Sequence, residues 1–385
     1  MSKHDFPLEE FKARQSRTRQ AIAKAGLDWL LVIHPVSLHW LIGAETKSYQ
    51  AFQCLPLAAE EKPLVMFTRE SERYEFEDDT LADEVRGWGG SEPEDPIEAF
   101  ERLAADLGLG RARIGLEVPA YYLHPHHYLR LKSMLGAALV AEPSNLVPEL
   151  KMVKSPRELA LVREASRIAD HAMEACVKGF REGRSELEVA GDIYHALMTS
   201  GSGLPASTIN LVSGERLRFS HGAPTLRKIR RGDCGNVEFG AAYKRYTTTI
   251  GRQFSLGAPS PRLKEVYDIV RRAGEAMIAE IRAGVPAIVP HEAAKRVIAQ
   301  AGLDRYRIHT SGYGIAPGVP PAWGEPINMF GGSRDTLQAG MVVSVEPPVF
   351  IGEEKLGARI IDNVVVTATG AERLSRWPRD LIVLD

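Results

Sequence analysis

With 385 residues, 44% of them hydrophobic and 25% charged, the chain is long enough to bury a sizeable core and to form two domains. A formal net charge of −2 gives no support for a nucleic-acid or membrane-surface partner. Three widely spaced cysteines, Cys54, Cys176 and Cys234, argue against a disulfide framework or zinc knuckle and for a reducing cytoplasm. The opening MSKHDFPLEEF is charged with no apolar run behind it, so neither a signal peptide nor a membrane-spanning helix is expected.

A helical pattern covers residues 8–25. DWLLVIH (28–34) reads as a buried strand, and 55–59 and 63–68 as further strands. Residues 89–96 are a loop, 97–107 a helix, 113–118 a strand and 124–134 a helix. Alternating strands and helices with short links predict an α/β domain over 1–150. His124, His126 and His127 cluster near a helix start, but no carboxylate or cysteine stands at metal-ligand spacing, so surface histidines are expected.

Near Lys151 the texture changes. KMVKSPRELALVREASRIADHAMEACVKGF is a long amphipathic helix, with Ser155 as N-cap, Pro156 at its first position and Glu158 completing a capping box. A second domain is placed over 151–385. Residues 185–200 form a second helix capped by Ser185. From His221 to Phe254 the chain reads as a turn, a strand, a turn over 242–245 and a second strand. Val237, Phe239 and Ala241 alternate with Glu238 and Gly240, the period of a half-buried strand. Glu238 then either faces solvent or is buried, and a buried carboxylate must be paired, hydrogen-bonded or at work. Helices are expected over 261–282 and 291–301, and strands over 341–349 and 359–367. The tail, 377–385, ends in an apolar stretch.

Five ordered pieces of the second half carry a resemblance. They are Lys154-Ser-Pro before the long helix, Gly232-Asp233 with Gly240, Tyr243 and Arg252, the run from His309 to Ile315, Gly340 to Pro347, and Gly357 to Asp362. Together they resemble the pita-bread fold of the creatinase, aminopeptidase P and prolidase family. The fold class implied is α/β (α+β): a small N-terminal creatinase-like α/β domain followed by a C-terminal pita-bread domain. The resemblance also implies a homodimer.

Metal-dependent members of that family hold two divalent ions with two Asp, one His and two Glu. Those positions fall here on Glu238, Thr249, Tyr313, Glu346 and Ile361, the last beside Asp362. Two carboxylates and no imidazole are a poor set for a metal pair. The expectation is therefore no metal and no cofactor. Gly312-Tyr-Gly-Ile315 and Pro320-Pro-Ala-Trp-Gly-Glu325 are similar to the metal-free ectoine hydrolase branch, and His221 is placed as the histidine of that branch and of creatinase. This resemblance implies metal-independent hydrolysis of a C–N bond in a small amidine, guanidine or cyclic amide, with a small cationic or zwitterionic substrate.

The roles expected are Glu238 as nucleophile or base, His221 as proton shuttle, Tyr313 as donor to a developing oxyanion and Glu346 as partner of a substrate cation. Trp323, Thr249 and Arg359 are candidate substrate contacts, and Tyr49 and Phe52 candidates for stacking on a planar cation. Each also has a structural reading: Tyr313, Trp323 and Phe52 as packing, Arg359 and Arg252 as a buried ion pair. Two alternatives stand beside this function: a metal-dependent Xaa-Pro dipeptidase or aminopeptidase, and an inactive binding protein of the same fold.

Overall fold

In the computed structural model, which describes residues 3–45, 47–119 and 121–385, His34, Asp95, His124, Ser155, Ser185 and Ser260 each start a helix by accepting from a backbone N–H of its first turn. The chain divides into two units, Met1–Lys151 and Met152–Asp385.

The first unit runs α1 (Leu8–Lys24), β1 (Trp29–Val32), α2 (Pro35–Ile42), β2 (Leu55–Ala58), β3 (Val65–Arg69), α3 (Arg73–Asp79), β4 (Glu84–Trp88), α4 (Pro96–Asp106), β5 (Ile114–Leu116), α5 (Pro125–Leu135), β6 (Leu139–Ala141) and α6 (Leu146–Lys151). One sheet has the order β2-β1-β5-β6, and β3 and β4 form a separate parallel pair. Helix α2 was not expected. All eight of its residues are buried, so it has no polar face and no helical stripe to read. His124 caps α5, its Nδ1 accepting from the His126 backbone N–H at 3.1 Å.

Two proposed ligand contacts lie in this unit. Phe52 is 2% exposed and meets Phe67 and Phe100 edge-on, at 6.0 and 5.8 Å between ring centres. That makes it a core residue rather than a stacking platform, because its faces are already covered. Tyr49 packs edge-on against Tyr122 at 5.8 Å.

The second unit opens with α7 (Pro156–Gly179) and α8 (Glu186–Thr199), each begun by a reciprocal capping box, Ser155 with Glu158 and Ser185 with Glu188. Then come β7 (Asn210–Ser213), β8 (Cys234–Tyr243), β9 (Tyr246–Leu256), α9 (Pro261–Glu280), α10 (Ile288–Gln300), β10 (Gly312–Val319), β11 (Ala322–Met329), β12 (Val342–Val345), β13 (Val349–Ile351), β14 (Leu356–Ala358), β15 (Asp362–Val366), β16 (Ala371–Arg373) and β17 (Ile382–Leu384). A nine-stranded sheet follows the path β16-β15-β12-β10-β9-β8-β7, with β11 joined to β10 and β17 to β9.

The hairpin β8–β9 is the longest pairing. Its turn is Lys244-Arg245, shorter than the four residues expected, and both have positive φ, 51° and 66°. A two-residue turn of that hand matches the twist of paired strands. Val237, Phe239 and Ala241 on β8, with Ile250 and Phe254 on β9, share one apolar core with residues of α7 and α8. The opposite face of these strands is also covered, so the half-buried strand expected from the alternation is buried on both sides. The alternation separates an apolar face from a polar interior one.

Candidate active site

Glu238 stands mid-strand on that polar face, opposite Asn210 of β7 and Gly251 of β9. It is 3% exposed, which excludes the solvent-facing reading. Its Oε2 accepts from Asn210 Nδ2 at 2.7 Å and pairs with Arg359 Nη2 at 2.7 Å. Arg359, equally buried, is held from two more sides. Its Nη1 donates to the Ser220 carbonyl at 2.6 Å, and its backbone N–H donates to Gln253 Oε1 at 3.2 Å. A buried charge persists when paired and hydrogen-bonded, and these two satisfy that condition together.

Glu346 follows β12, its backbone N–H anchored on the Ser311 carbonyl at 2.9 Å. Its carboxyl is buried, and neither oxygen has a hydrogen-bond partner among the described residues. His309 Nδ1 lies 3.9 Å from Oε1. Burial first, and the charge of Glu238 second, push the Glu346 carboxyl up to about 8; Arg359, Ser344 and Tyr313 pull the other way. At neutral pH it is mostly protonated. The centre therefore holds two carboxyl groups of different character, one salt-bridged and one carrying a proton.

Tyr313 enters from β10, and its hydroxyl accepts from Trp323 Nε1 at 3.1 Å. Burial, then Glu346 and Glu238, raise the Tyr313 hydroxyl well above its ordinary range, so it is a neutral O–H donor. His309 and His221 lie with ring centres 5.3 Å apart, His221 exposed at the rim. Burial, chiefly, lowers both imidazoles, so both are neutral near pH 7. His309 Nδ1 is 3.0 Å from the Thr310 carbonyl, which makes that nitrogen the donor.

Of the residues expected at the site, Glu238, Arg359, Glu346, Tyr313, Trp323 and His221 come together. Thr249 is turned to another use. Its backbone N–H donates to Asn363 Oδ1 at 2.6 Å, and its hydroxyl accepts from Asn363 Nδ2 at 2.9 Å. Ile361 lies over Gly251, where an added Cβ would fall 2.8 Å from Ile361 Cγ1. Asp362 is committed to two guanidinium groups, Arg252 Nη2 at 2.8 Å and Arg379 Nε at 2.9 Å, so Arg252 forms a buried ion pair and does not orient Glu238. Asn210, Gln253 and Asn363 escaped sequence reading, because their roles depend on which strand lies beside which.

Whether these residues suit a metal pair can be judged from their donors. Among the described residues no group of three or more His, Cys, Asp or Glu side chains is placed to hold a metal ion. The Arg359 guanidinium lies on a Glu238 oxygen that a cation would need. Two divalent ions require several anionic oxygens, and this donor set does not fit them.

Residues 160–368 match the model of metallopeptidase family M24, and residues 14–153 that of the creatinase/prolidase N-terminal domain. The probable dipeptidase PepE of Mycobacterium tuberculosis is 30% identical, over 100% of this chain and 99% of its own length. The Xaa-Pro dipeptidase of Pyrococcus horikoshii is 30% identical, over 74% of this chain and 80% of its own. The crystal structure of dipeptidase PepE from Mycobacterium ulcerans superposes with a TM-score of 0.84 at 29% identity, covering 98% of this chain and 99% of that one. The chain belongs to metallopeptidase family M24 and has its pita-bread fold. These relatives overturn the expected metal-independent hydrolase of amidines or other non-peptide C–N bonds, because they are dipeptidases. That expectation rested on a few positions around Tyr313 and Glu238, whereas the likeness over the whole chain runs to peptidases.

Proposed function

We propose that this M24 protein hydrolyses the peptide bond of short peptides, Xaa-Pro dipeptides foremost, at the centre formed by Glu238 and Glu346. One observation carries the chemistry: two carboxyl groups share an enclosed site, one paired with Arg359 and one raised to about 8. Two titratable groups pushed apart by their surroundings are the arrangement of a base and an acid. Glu238 takes a proton from water as the water oxygen bonds to the carbonyl carbon. Tyr313 donates a hydrogen bond to the carbonyl oxygen as it becomes negative. Glu346 gives its proton to the departing nitrogen as the C–N bond breaks, and His221, at the rim, returns the proton between the carboxyls and solvent. The named relatives support the substrate class.

We place the reaction in the cytoplasm, in a homodimer. No helix among the described residues is long and apolar enough to cross a membrane. A second reading, a peptide-binding protein without turnover, is favoured by one observation: Arg359 already engages the oxygen of Glu238 that a base would use.

The test is release of free amino acids from a panel of Xaa-Pro and other dipeptides, with manganese supplied and withheld. Turnover that Glu238→Gln abolishes is the expected result. Dipeptide binding without cleavage under either condition supports the second reading and sinks the first.

A further inference from the structure

Trp323 is more than a wall of the site. It lies across the polar face of the sheet in a space kept by two glycines. A Cβ added at Gly240 of β8 would stand 2.9 Å from Trp323 Cζ3, and one at Gly318 of β10 would stand 3.1 Å from Trp323 Cβ. No real Cβ tolerates the first distance, so the indole plane is fixed by backbone on one side. The Trp323 side chain is 8% exposed with its single donor, Nε1–H, on the Tyr313 hydroxyl at 3.1 Å. An indole N–H only donates, so the Tyr313 oxygen must accept from it. The proton of Tyr313 is thereby directed away from Trp323. Burial first, and Glu346 second, raise that hydroxyl well above its ordinary range, so it keeps its proton.

We propose that Trp323 is a positioning residue: its indole N–H occupies the Tyr313 oxygen from one side, so that the phenolic proton points away from the indole and at the substrate carbonyl oxygen during reaction. The substrate half rests on the peptide-hydrolase reading; the orientation of the hydroxyl by the indole holds without turnover.

Trp323→Phe keeps the ring and removes the donor. Its kcat is expected to fall tenfold or more, with KM within about twofold, since one aimed donor acts mainly in the transition state. Tyr313→Phe should show the same loss, and the double variant should be no worse than Tyr313→Phe alone. A second readout needs no substrate: the Trp323 indole N–H resonance should shift in Tyr313→Phe, where its acceptor is gone. Gly240→Ala, which displaces the indole without deleting it, should lower kcat and shift the same resonance, and it decides the matter if Trp323→Phe does not fold. A rise in KM alone, losses that multiply with Tyr313→Phe, or an indole resonance that Tyr313→Phe leaves unmoved overturns the proposal. If no dipeptide is cleaved, the peptide-hydrolase reading fails, while the resonance still judges the orientation.

Discussion

Among the described residues each unit buries a glutamate whose carboxyl is driven upward by its surroundings, Glu117 and Glu346, and the two are not alike. Glu117, in the first unit, is 1% exposed and pushed up to about 7, chiefly by burial. Its oxygens are fully used: Oε2 accepts from the Ile33 and His34 backbone N–H groups at 2.9 and 2.8 Å, and Oε1 from Ser37 Oγ at 2.7 Å. It ties the end of β1 to the start of α2. Glu346, in the second unit, is as deeply buried and sits at about 8, but neither oxygen has a partner among the described residues. Burial raises both groups. What separates the two is whether their lone pairs are taken.

Four measurements would sharpen or break that contrast. The largest effect is expected at Glu238, whose replacement by Gln should lower dipeptide turnover on the order of 10³-fold or more. Next, Arg359→Met leaves Glu238 buried without its ion-pair partner; a urea denaturation series should show a loss of about 3–5 kcal/mol. Third, Glu346→Gln should lower turnover roughly 10²-fold and change the pH dependence of stability. The folded-state value is raised, so the native protein holds an extra proton between the ordinary carboxyl range and about pH 8. Stability therefore falls as pH rises through that window, and the Gln variant should be flat there. Wild-type activity should fall above about pH 8 as the acid loses its proton. If the variant kept the wild-type slope in thermal melts, Glu346 would not be the group responsible. The smallest change belongs to Glu117→Ala, which strands two N–H groups and a hydroxyl. It should lose about 2 kcal/mol or more of stability and leave turnover per folded molecule unaltered.

The sequence made some of this legible and hid the rest for physical reasons. Ser155 with Glu158, and Ser185 with Glu188, announce helix starts because capping is a local interaction. Glu238 was visible because a carboxylate interrupts an apolar alternation. The strands β10 and β11 were not, since GYGIAPGVPPAWGEPINM is rich in the residues that usually break strands, and their pairing is irregular, with register shifts on both sides of the Gly314–Ile315 segment. Asn210 and Asn363 have no local signature at all. They matter only once β7 lies beside β8, and β15 lies near β9. The catalytic class was misjudged for a related reason. A handful of changed positions at the centre weighed more than the likeness spread over the chain.

The buried cluster of Arg252, Asp362 and Arg379 also has a bearing on how the molecule is made. Strand β9, which frames Glu238, is bordered along Phe254–Leu256 by β17, and Arg252 donates to the carbonyls of Pro378 at 2.8 Å and Trp377 at 3.1 Å. The segment that finishes the central hairpin is thus translated long after the hairpin itself. A nascent chain that has completed β9 holds an unpaired edge along Phe254–Leu256 until β17 has emerged from the ribosome. Emergence of β17, rather than synthesis of the strand that carries Glu238, therefore completes the frame around the centre.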